Sequence, residues 1–504
     1  MTRAEQLRQQ AWDFLKAAVI YYQDREGQFP VGTLAALPDS NHDQKKDELS
    51  RDPVNYDHCF IRDFVSAGIA FISQGERRLV RNFLEFTLGL QIDYDEQPPI
   101  EENLPLFMAA RHLIKGDQVN LAQGLMPASF KLASDSAITV NVERDFGQRA
   151  IGRVLPFDSA LWWIFVLNVY ENACEQAGQP EEKIAHHQAF QRGIYLILKL
   201  CLANGFSTTP LMLVPEATFM IDRRLSVHGY PLEIQVLFYM ALSAASNLLS
   251  QEYLDQVGDD NLLNQIKTRR KELASYIRDH YWLDQNKLTQ IYDYQTEQFG
   301  NTVLNQFNIY TNAVPDWVSR WLMTSGQSDT GYLVGNVSVG WMDFRFFSQG
   351  NLLAIVSGLI TQEQSEGILN LIGYQKLKLI GHNPLKLCYP ALEDRDWETL
   401  TGCDPKNVPW SYHNGGSWPV LLWILTAAAV KFNQTQLAQH AISLAEQSLD
   451  VDKWPEYYEG RRAQRLGRRA RLYQTWTISG YLVAKELMEK PNQLSLLSII
   501  RRSC

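Results

Sequence analysis

The 504-residue sequence lacks the short motifs by which metal- and nucleotide-dependent enzymes are commonly recognised. It contains no H-E-x-x-H pair of zinc ligands, no phosphate-binding G-x-x-x-x-G-K-[ST] loop and no dinucleotide-binding G-x-G-x-x-G. The nearest approach to the G-x-S-x-G of serine hydrolases is GQSDTG at residues 326–331, which is one residue too long. We therefore expect a protein that uses no metal ion, no nucleotide and no other cofactor.

Long apolar runs and paired cysteines are also missing. The longest apolar run, residues 420–430, ends at Lys431 and falls well short of the roughly 20 residues that a membrane helix needs. The N-terminus is charged and amphipathic, and it has no secretory cleavage site. The cysteines form no C-x-x-C pair, which predicts reduced, buried thiols in a cytoplasmic protein without membrane contact. They are Cys59, Cys174, Cys201, Cys388, Cys403 and Cys504.

Positive charge is scarce in the chain as a whole. The formal net charge is -9 and the isoelectric point is near 5.7, which argues against nucleic acid as a partner. The exception is residues 461–471, RRAQRLGRRAR, where six of eleven positions are arginine. This segment is either the solvated start of a helix or a patch that binds phosphate, an acidic partner or another subunit.

Helical periodicity is present along most of the length. Apolar residues recur at i, i+3 and i+4 in ten segments, whereas strand-like alternation is rare. The sequence therefore predicts an all-α fold. The ten segments are residues 4–24, 57–90, 157–176, 184–203, 230–250, 261–281, 350–373, 418–431, 435–449 and 472–490.

Six loops rich in tryptophan, tyrosine, arginine and acidic residues separate these helices, each just before a helix. They are DPVNYDHCFIRDF, RDFGQRAIGRVLPFDSALWW, FMIDRRLSVHGYP, GNVSVGWMDFRFF, CDPKNVPWSYHNGGSWP and WPEYYEG. Long decorated loops between helices are candidates for function. Their number predicts six helical hairpins closed into an (α/α)6 toroid, with the active site in a funnel formed by the loops that enter the inner helices. We expect one catalytic domain over residues 1–504, in which residues 1–50 are either an integral part or a helical extension.

Carboxylates and aromatic residues occur together in these loops. Glu456 lies in WPEYYEG between Pro455 and two tyrosines, a setting that predicts a partly dry pocket. Enzymes that cleave glycosidic bonds use two carboxyl groups, with aromatic rings to stack on sugars. Further pairings are Tyr56 with Asp57, Asp63 with Phe64, Asp158 with Trp162 and Trp163, Asp222 with Arg223 and Arg224, and Asp343 with Trp341.

Seven motifs in order along residues 50–490 resemble the alkaline and neutral invertases, glycoside hydrolase family 100. They are YDHCFIRDF, MPASFK, DFGQRAIGRVLPFDSALWW, MIDRRLSVHGYPLEIQVLFYMAL, MDFRFFSQGN, CDPKNVPWSYHNGGSWPVLLW and WPEYYEGR…YQTWTISGYLVAK. The resemblance implies hydrolysis of sucrose to glucose and fructose in the cytosol, without a metal, on a six-hairpin toroid. It also implies a homo-oligomer, which the arginine segment and the helix faces would permit.

The invertases in turn resemble the inverting trehalases, which suggests the catalytic pair. Asp222 in MIDRR matches the position of the trehalase general acid, and Glu456 in WPEYYEG is similar to that of the general base. An inverting pair stands ~6.5–9.5 Å apart, which leaves room for a water molecule. Asp158 is the main alternative for the acid, and Glu393 and Glu398 are alternatives for the base.

The same motifs suggest residues that bind the sugar. Several have a structural alternative: Glu233 as a buried helix cap, Arg62 with Asp63 and Asp343 with Arg345 as internal ion pairs, and the glycines after Asn414 as a helix-entry turn. The substrate-binding candidates are Tyr56, Asp57, Arg62, Asp63, Asp158, Trp162, Arg223, Arg224, Glu233, Asp343, Arg345, Trp410, His413, Asn414, Trp418 and Gln474.

Two other functions fit the same residues. One is a trehalase-like α-glucosidase on the same toroid, which assays with sucrose, trehalose and raffinose would separate from a sucrose hydrolase. The other is a non-catalytic toroid that binds a sugar or a protein partner. The presence of both Asp222 and Glu456 in their motifs favours an enzyme over a binding protein.

Overall fold

A computed structural model gives the fold of most of the chain, and it describes fifteen ranges. These are residues 2–23, 27–38, 56–94, 104, 106–107, 122–136, 139–147, 155–203, 207–214, 217–218, 225, 229–293, 313–323, 329–338 and 341–499.

Helices dominate this part of the chain. In order they are α1 (Arg3–Ala17), α2 (Ile61–Ser73), α3 (Arg77–Gly89), α4 (Phe157–Gln176), α5 (Gln188–Cys201), α6 (Leu232–Leu248), α7 (Gln251–Gln256), α8 (Leu262–Tyr276), α9 (Gln285–Asp293), α10 (Asp316–Met323), α11 (Ser348–Ser357), α12 (Gln362–Tyr374), α13 (Lys376–Leu379), α14 (Asp394–Thr401), α15 (Leu422–Lys431), α16 (Thr435–Ser448) and α17 (Thr475–Glu489). Short 3₁₀ helices cover Pro180–Glu182, Pro419–Leu421 and Pro491–Leu497, and a π-helical turn, Ile277–Tyr281, follows α8.

Short strands form small sheets between the helices. They are β1 (Val19–Gln23), β2 (Gln28–Thr33), β3 (Cys59–Phe60), β4 (Ser129–Ser136), β5 (Thr139–Asp145), β6 (Leu155–Pro156), β7 (Ser207–Thr208), β8 (Leu211–Met212), β9 (Ala217–Thr218), β10 (Trp282–Asp284), β11 (Gly331–Ser338), β12 (Trp341–Phe347) and β13 (Cys388–Tyr389). The largest sheet has the order β10-β11-β12-β13 and is antiparallel throughout.

Six of the helices are buried on almost every face: α2, α4, α6, α11, α15 and α17. Their sequences, such as LWWIFVLNVY in α4 and LWILTAAAV in α15, are apolar all round, which is the pattern of a helix surrounded by protein. Each packs against the next: α2 on α4, α4 on α6, α6 on α11, α11 on α15 and α15 on α17. The last of them, α17, packs on α2.

Amphipathic helices cover these buried ones. In α1 the residues Leu7, Ala11 and Leu15 are buried, and the helix packs against α17. Helix α3 packs on α2 and α4. Helices α5 and α8 both pack on α6, α12 packs on α11, and α16 packs on α15 and α17. A single large apolar cluster contains buried residues from both sets of helices, including those of α1.

The helical segments predicted from periodicity lie where the structure has helices, but the residues at which the helices begin and end differ. Residues 157–176 coincide with α4, whereas the segment 57–90 divides into α2 and α3. The division falls at Gly75, whose φ of 83° lies in the left-handed region that ends helices. Residues 4–24 also divide, because α1 stops at Ala17 and the chain continues as β1.

The small sheets were not predicted from the sequence. GNVSVGWMDFRFF, interpreted as a loop, contributes to the antiparallel pair β11 and β12, in which Asn336 lies opposite Asp343. The fold is therefore helix-rich as predicted, with strand pairs inserted before some of the buried helices. Most residues of these two strands are buried, so the alternation that marks a half-exposed strand is absent from the sequence.

The expectation of buried thiols needs one correction. Cys59, Cys174, Cys201 and Cys388 are free and buried, but Cys403 is exposed in the turn that follows α14. Cys504 lies outside the described residues. In the described ranges no helix is long and apolar enough to cross a lipid bilayer.

Candidate active site

Glu456 lies at the centre of the candidate site, in the segment before α17. Its side chain is 4% exposed, and the hydroxyl of Tyr56 donates to both carboxylate oxygens at 3.2 Å. The backbone N–H of Arg471 lies 3.4 Å from Oε2. Tyr56 is in turn covered by the Arg471 guanidinium, whose carbon is 4.8 Å from the ring centroid. The carboxylate is thus held both by its own part of the chain and by Tyr56, which is 400 residues away in sequence.

Burial raises the pKa of Glu456 above that of a free glutamate. The largest opposing influence is the positive charge of Lys406, followed by the hydrogen bonds from Arg471 and Tyr56 and the charge of Arg471. The sequence left open whether the aromatic neighbours or the arginines would prevail, and burial prevails. A carboxyl group with a raised pKa is suited to exchange protons near neutral pH.

The segment 461–471 is not the start of a helix, which corrects one of the two readings of its arginines. It forms turns and a short antiparallel bridge between Tyr458 and Leu466, and α17 begins only at Thr475. Carbonyl oxygens at every third position accept hydrogen bonds from groups outside the segment, namely those of Arg462, Arg465, Arg468 and Arg471. The last of these accepts from the backbone N–H of Glu456 at 2.7 Å. The segment therefore braces Glu456 through its main chain.

A charged cluster lies at the starts of α2 and α4. Arg62 Nη1 donates to Asp158 Oδ2 at 2.9 Å, and Arg62 Nε lies 3.7 Å from Asp63 Oδ1. Burial raises the pKa of Asp63 to about 7, although Arg62 opposes the rise. Glu456 is among the charges that raise it, so the cluster and Glu456 belong to one electrostatic unit.

Asp158, the alternative general acid, is engaged by this guanidinium. Burial raises its pKa, while Arg62 and hydrogen bonds from backbone groups lower it. A general acid must carry a proton, and a guanidinium at hydrogen-bonding distance favours the ionised form. The contact therefore favours Asp158 as a partner that orients Arg62 over Asp158 as the acid.

Asp343 and Arg345 form an internal ion pair on β12. Arg345 Nε lies 2.9 Å from Asp343 Oδ1, and Nη2 lies 2.5 Å from Oδ2. Both side chains are buried. Arg345 Nη2 also donates to the carbonyl oxygen of Leu225 at 3.4 Å. The structural interpretation of this pair is the one that the contacts support.

Glu233 is buried in the first turn of α6. Gln349, in the first turn of α11, donates to its Oε1 at 2.9 Å. A carboxylate in the first turn of a helix is stabilised by the helix dipole. The contact between the two side chains joins the entry points of two buried helices, which sequence spacing did not indicate.

The loop 404–421 before α15 is braced by Asn414. Its Oδ1 accepts from the backbone N–H of Leu392 at 2.7 Å, and its Nδ2 donates to the carbonyl oxygens of Leu392 and Asn407. His413 is buried and stacks on Tyr412 with ring centroids 3.9 Å apart. These contacts of the Asn414 side chain stabilise the loop itself.

Two tryptophans of this loop differ in exposure. Trp418 is fully buried, stacks on Tyr457 at 5.3 Å and donates from Nε1 to the carbonyl oxygen of Tyr412 at 3.0 Å. Trp410 is partly exposed, and its Nε1 donates to Glu393 Oε1 at 2.7 Å. Trp410 is therefore the one of the two that a ligand in the loop region can reach.

The remaining described candidates lie at the edges of this site. Asp57 is exposed and pairs with Lys131. Gln474 is buried at the N-terminus of α17, where its backbone N–H donates to the carbonyl oxygen of Trp454. Glu393 and Glu398, the alternatives to Glu456, are exposed at the start of α14 and within it. Neither has the dry surroundings of Glu456.

The candidate acid and its neighbours lie outside the described residues. This applies to Asp222, Arg223 and Arg224, so the separation expected between Asp222 and Glu456 stays a prediction. Among the described residues, no group of three or more His, Cys, Asp or Glu side chains is placed to hold a metal ion.

A small cavity of about 20 Å³, with room for about one water molecule, adjoins the charged cluster. Arg62, Trp162 and Gln349 line it, together with apolar side chains of α2, α15 and α17. Within the described part of the chain, Arg62 Nε and Trp162 Nε1 are buried and have no hydrogen-bond partner. Unpartnered donors on residues that line a cavity beside carboxylates can bind hydroxyl groups.

Comparison with known sequences identifies the family. The sequence profile of the alkaline and neutral invertases matches residues 11–491. The chain belongs to the alkaline and neutral invertase family. Invertases are glycoside hydrolases, and so is this member of the family.

Several plant invertases resemble this chain over almost its whole length. Chloroplastic neutral/alkaline invertase 3 of Oryza sativa subsp. japonica is 45% identical over 502 residues, which is 98% of this chain and 75% of that protein. Cytosolic invertase 1 of the same species is 44% identical, over 97% of this chain and 79% of its own length. Chloroplastic alkaline/neutral invertase E of Arabidopsis thaliana is 43% identical, over 97% and 73%.

Solved glycosidases share the fold of this invertase at low sequence identity. A wild-type glycosidase superposes with a TM-score of 0.52 at 12% identity, covering 98% of this chain and 97% of the other. A bacterial glucoamylase complexed with acarbose gives a TM-score of 0.51 at 9% identity, covering 97% of this chain and 57% of the other. At such identities the likeness concerns the fold alone.

Sequence analysis of this invertase missed Lys406 and Gln349 as residues of the site. Lys406 lies in the motif CDPKNVPW, where a single lysine in a polar loop is typical of a solvated surface. Gln349 lies in the motif MDFRFFSQGN, next to the predicted Arg345. The contact of Gln349 with Glu233 and the effect of the Lys406 charge on Glu456 depend on the tertiary fold, and no local pattern in the sequence contains that information.

Gly460 provides a test of the bracing around Glu456. A Cβ atom at this position would lie 1.7 Å from the carbonyl oxygen of Gly415, so the two segments must move apart. Gly460→Ala is expected to lower the free energy of unfolding by about 1–3 kcal/mol and to reduce activity. Gly373→Ala is the matched control, because that position in α12 has open space around it. It is expected to be neutral or stabilising by up to about 1 kcal/mol, as measured by urea unfolding.

Proposed function

We propose that this chain hydrolyses sucrose with inversion, using Glu456 as the general base and Asp222 as the general acid. Glu456 removes a proton from a water molecule that attacks C1 of the glucosyl unit. Asp222 gives its proton to the bridging oxygen as the bond between C1 and that oxygen breaks. The products are β-glucose and fructose, and each carboxyl group has changed its protonation state once.

The observation that carries the proposal is the setting of Glu456. It is buried, its pKa is raised by burial, and it accepts hydrogen bonds from a phenol and a backbone amide. These donors fix the carboxylate without neutralising it, which suits a base that must take a proton and release it in each cycle. Membership of the invertase family supports sucrose as the substrate.

The substrate-binding residues that we propose divide into two groups. The charged cluster and the cavity beside it supply donors and acceptors for sugar hydroxyls, and the loops supply aromatic rings, further polar groups and the buried ring of Trp418 that packs behind them. The first group is Arg62, Asp63, Asp158, Trp162 and Glu233, to which the motif adds Asp343 and Arg345. The second is Tyr56, Asp57, Trp410, His413, Asn414, Trp418 and Gln474, and Arg223 and Arg224 are proposed by their motif alone.

We also infer that the helices close into an (α/α)6 toroid. The support is the succession of contacts among α2, α4, α6, α11, α15 and α17, which returns to its starting helix, and the outer helices that alternate with them along the chain. All six decorated loops precede these buried helices. In a toroid they share one end, where a funnel leads to Glu456.

The order of product anomers tests the mechanism. Proton NMR of the purified protein with fresh sucrose is expected to show β-glucose before mutarotation produces the α anomer. Asp222→Asn and Glu456→Gln are each expected to be inactive while folded. Release of α-glucose first, or an active Asp222→Asn variant, would contradict this assignment and make Asp158 the next candidate. Trehalose and raffinose serve as comparison substrates, and we expect sucrose to be hydrolysed fastest.

The domain organisation, location and oligomeric state of the enzyme follow from the same observations as proposals. We infer a single catalytic domain that acts in the cytoplasm as a homo-oligomer, without nucleic acid or membrane partners. The net charge of -9 and a cytosolic relative support this view. Light scattering after size-exclusion chromatography measures the mass directly, and a particle of 57.8 kDa would contradict the oligomer.

A further inference from the structure

The positive charge of Lys406 acts on the carboxyl group of Glu456 from a different loop. Its ammonium group is 3.9 Å from the centroid of the Tyr412 ring, a distance typical of a strong cation–π contact. The side chain is half-buried, so water screens this charge less than it would at the open surface. No other residue of the loop presents a cation to the site in this way among the described residues.

Hydrogen bonds within the loop fix the backbone position of Lys406. The backbone N–H of Lys406 donates to Asp404 Oδ1 at 3.1 Å, and Asp404 Oδ2 accepts from Asn407 Nδ2 at 2.8 Å. Tyr412, which lies under the ammonium, meets Tyr457 edge-on with ring centroids 5.5 Å apart. Tyr457 directly follows Glu456 in the chain. The position of the ammonium relative to the carboxylate is therefore set by packed rings and a braced turn.

The charge on Glu456 depends on a small number of groups. Burial disfavours the ionised form, and Lys406 is the strongest of the groups that favour it. The others that favour it are the backbone and guanidinium of Arg471 and the hydroxyl of Tyr56. Asp63 and Tyr457 also face the carboxylate, and both interact with its charge. The balance between burial and these groups sets the fraction of Glu456 that is ready to accept a proton.

We propose that Lys406 is the residue that keeps Glu456 ionised, with the ring of Tyr412 fixing where its charge lies. Lys406 acts through Glu456 and is therefore a positioning residue. The inference rests on the proposed function, because it concerns the protonation of the proposed base. It assigns the loop motif CDPKNVPW a part in the reaction, beyond the entry to α15.

The test is the pH dependence of kcat/KM for sucrose, whose acidic limb reports the essential base of the free enzyme. Lys406→Met removes the cation and keeps most of the volume. The pKa of Glu456 is expected to rise, so the acidic limb should move to higher pH by about one unit. Below the limb this corresponds to a loss of about tenfold in kcat/KM, and the loss should vanish at alkaline pH.

Two further variants separate charge from structure. Lys406→Arg keeps a cation that stacks on aromatic rings, and its limb is expected to lie near that of the wild type. Lys199→Met removes another cation beside an aromatic ring, that of Tyr195 at 5.9 Å, far along the chain on α5, and should leave the profile unchanged. A pH-independent loss in Lys406→Met, or an equal loss in Lys406→Arg, would overturn the proposal.

The failure of this inference and that of the proposed function are distinguishable. If Glu456→Gln is active, Glu456 is not the base and the proposed function fails. If Glu456→Gln is inactive and the limb of Lys406→Met does not move, only the role of Lys406 fails. Should Lys406→Met not fold, Tyr412→Leu removes the ring beneath the ammonium and is expected to move the limb in the same direction. An unmoved limb in that variant would also overturn the proposal.

Discussion

Glu456→Gln is expected to lower kcat for sucrose by about 10²–10⁴-fold while leaving the fold intact. Glutamine has the same shape, and its amide oxygen can still accept from the Tyr56 hydroxyl, which now donates to both carboxylate oxygens. It cannot take a proton from water at any ordinary pH. Stability should be retained, because the substitution replaces a buried carboxyl group with a neutral one of equal size.

The matched control is Glu398→Gln, which changes an exposed glutamate on α14 that the sequence offered as an alternative base. We expect it to remain within about twofold of wild-type activity, as surface substitutions away from a site usually do. Initial rates of glucose release measure both variants, and circular dichroism checks that both are folded. A Glu456→Gln variant within tenfold of the wild type, or an inactive Glu398→Gln variant, would show that the base lies elsewhere.

Arg345→Met is expected to destabilise the protein by about 3–5 kcal/mol. The substitution leaves the buried carboxylate of Asp343 without the guanidinium that now contacts both of its oxygens. Urea unfolding should show the loss as a lower midpoint. If Arg345 contributed only a weak surface contact, the change would stay below 1 kcal/mol, and the buried-pair interpretation would be wrong.

The double variant Asp343→Leu with Arg345→Met separates structure from substrate binding. Replacement of a complete buried ion pair by apolar groups is often close to neutral, so much of the lost stability should return. If the pair acts only within the fold, the folded double variant keeps a KM for sucrose close to that of the wild type. A large rise in KM at restored stability would instead support the sugar-clamp interpretation of these two residues.

The sequence predicted the helices well where they are apolar on all sides. Residues 157–176 match α4 because an uninterrupted apolar pattern of that length has few other solutions in a soluble protein. Strands β11 and β12 were not predicted from the sequence, because strands buried on both faces lack the alternation of apolar and polar residues that identifies a strand. Loop aromatics correctly marked the starts of the buried helices, because rings and charges there have no role in an ordinary connection.

The candidate site was only partly visible in the sequence. Glu456 was recognised by its motif, and the structure adds that Tyr56 holds it from a distant segment. The contact between Glu233 and Gln349, and the action of the Lys406 charge on Glu456, join loops that are far apart in the chain. Such pairings arise only when the helices pack, so a linear pattern contains no trace of them.

In the arginine segment, residues 461–471, the backbone carbonyl oxygens and the side chains have different roles. Carbonyl oxygens of Arg465, Arg468 and Arg471 accept hydrogen bonds from Glu459, Tyr457 and Glu456 and so brace the segment that bears Glu456, and every amino acid has such an oxygen. The side chains of Arg462, Arg465, Arg468 and Arg469 are exposed. Evolution or protein engineering can therefore change the charge of the exposed side chains in this loop without changing its backbone hydrogen bonds. Such changes would alter which molecules the surface attracts or repels.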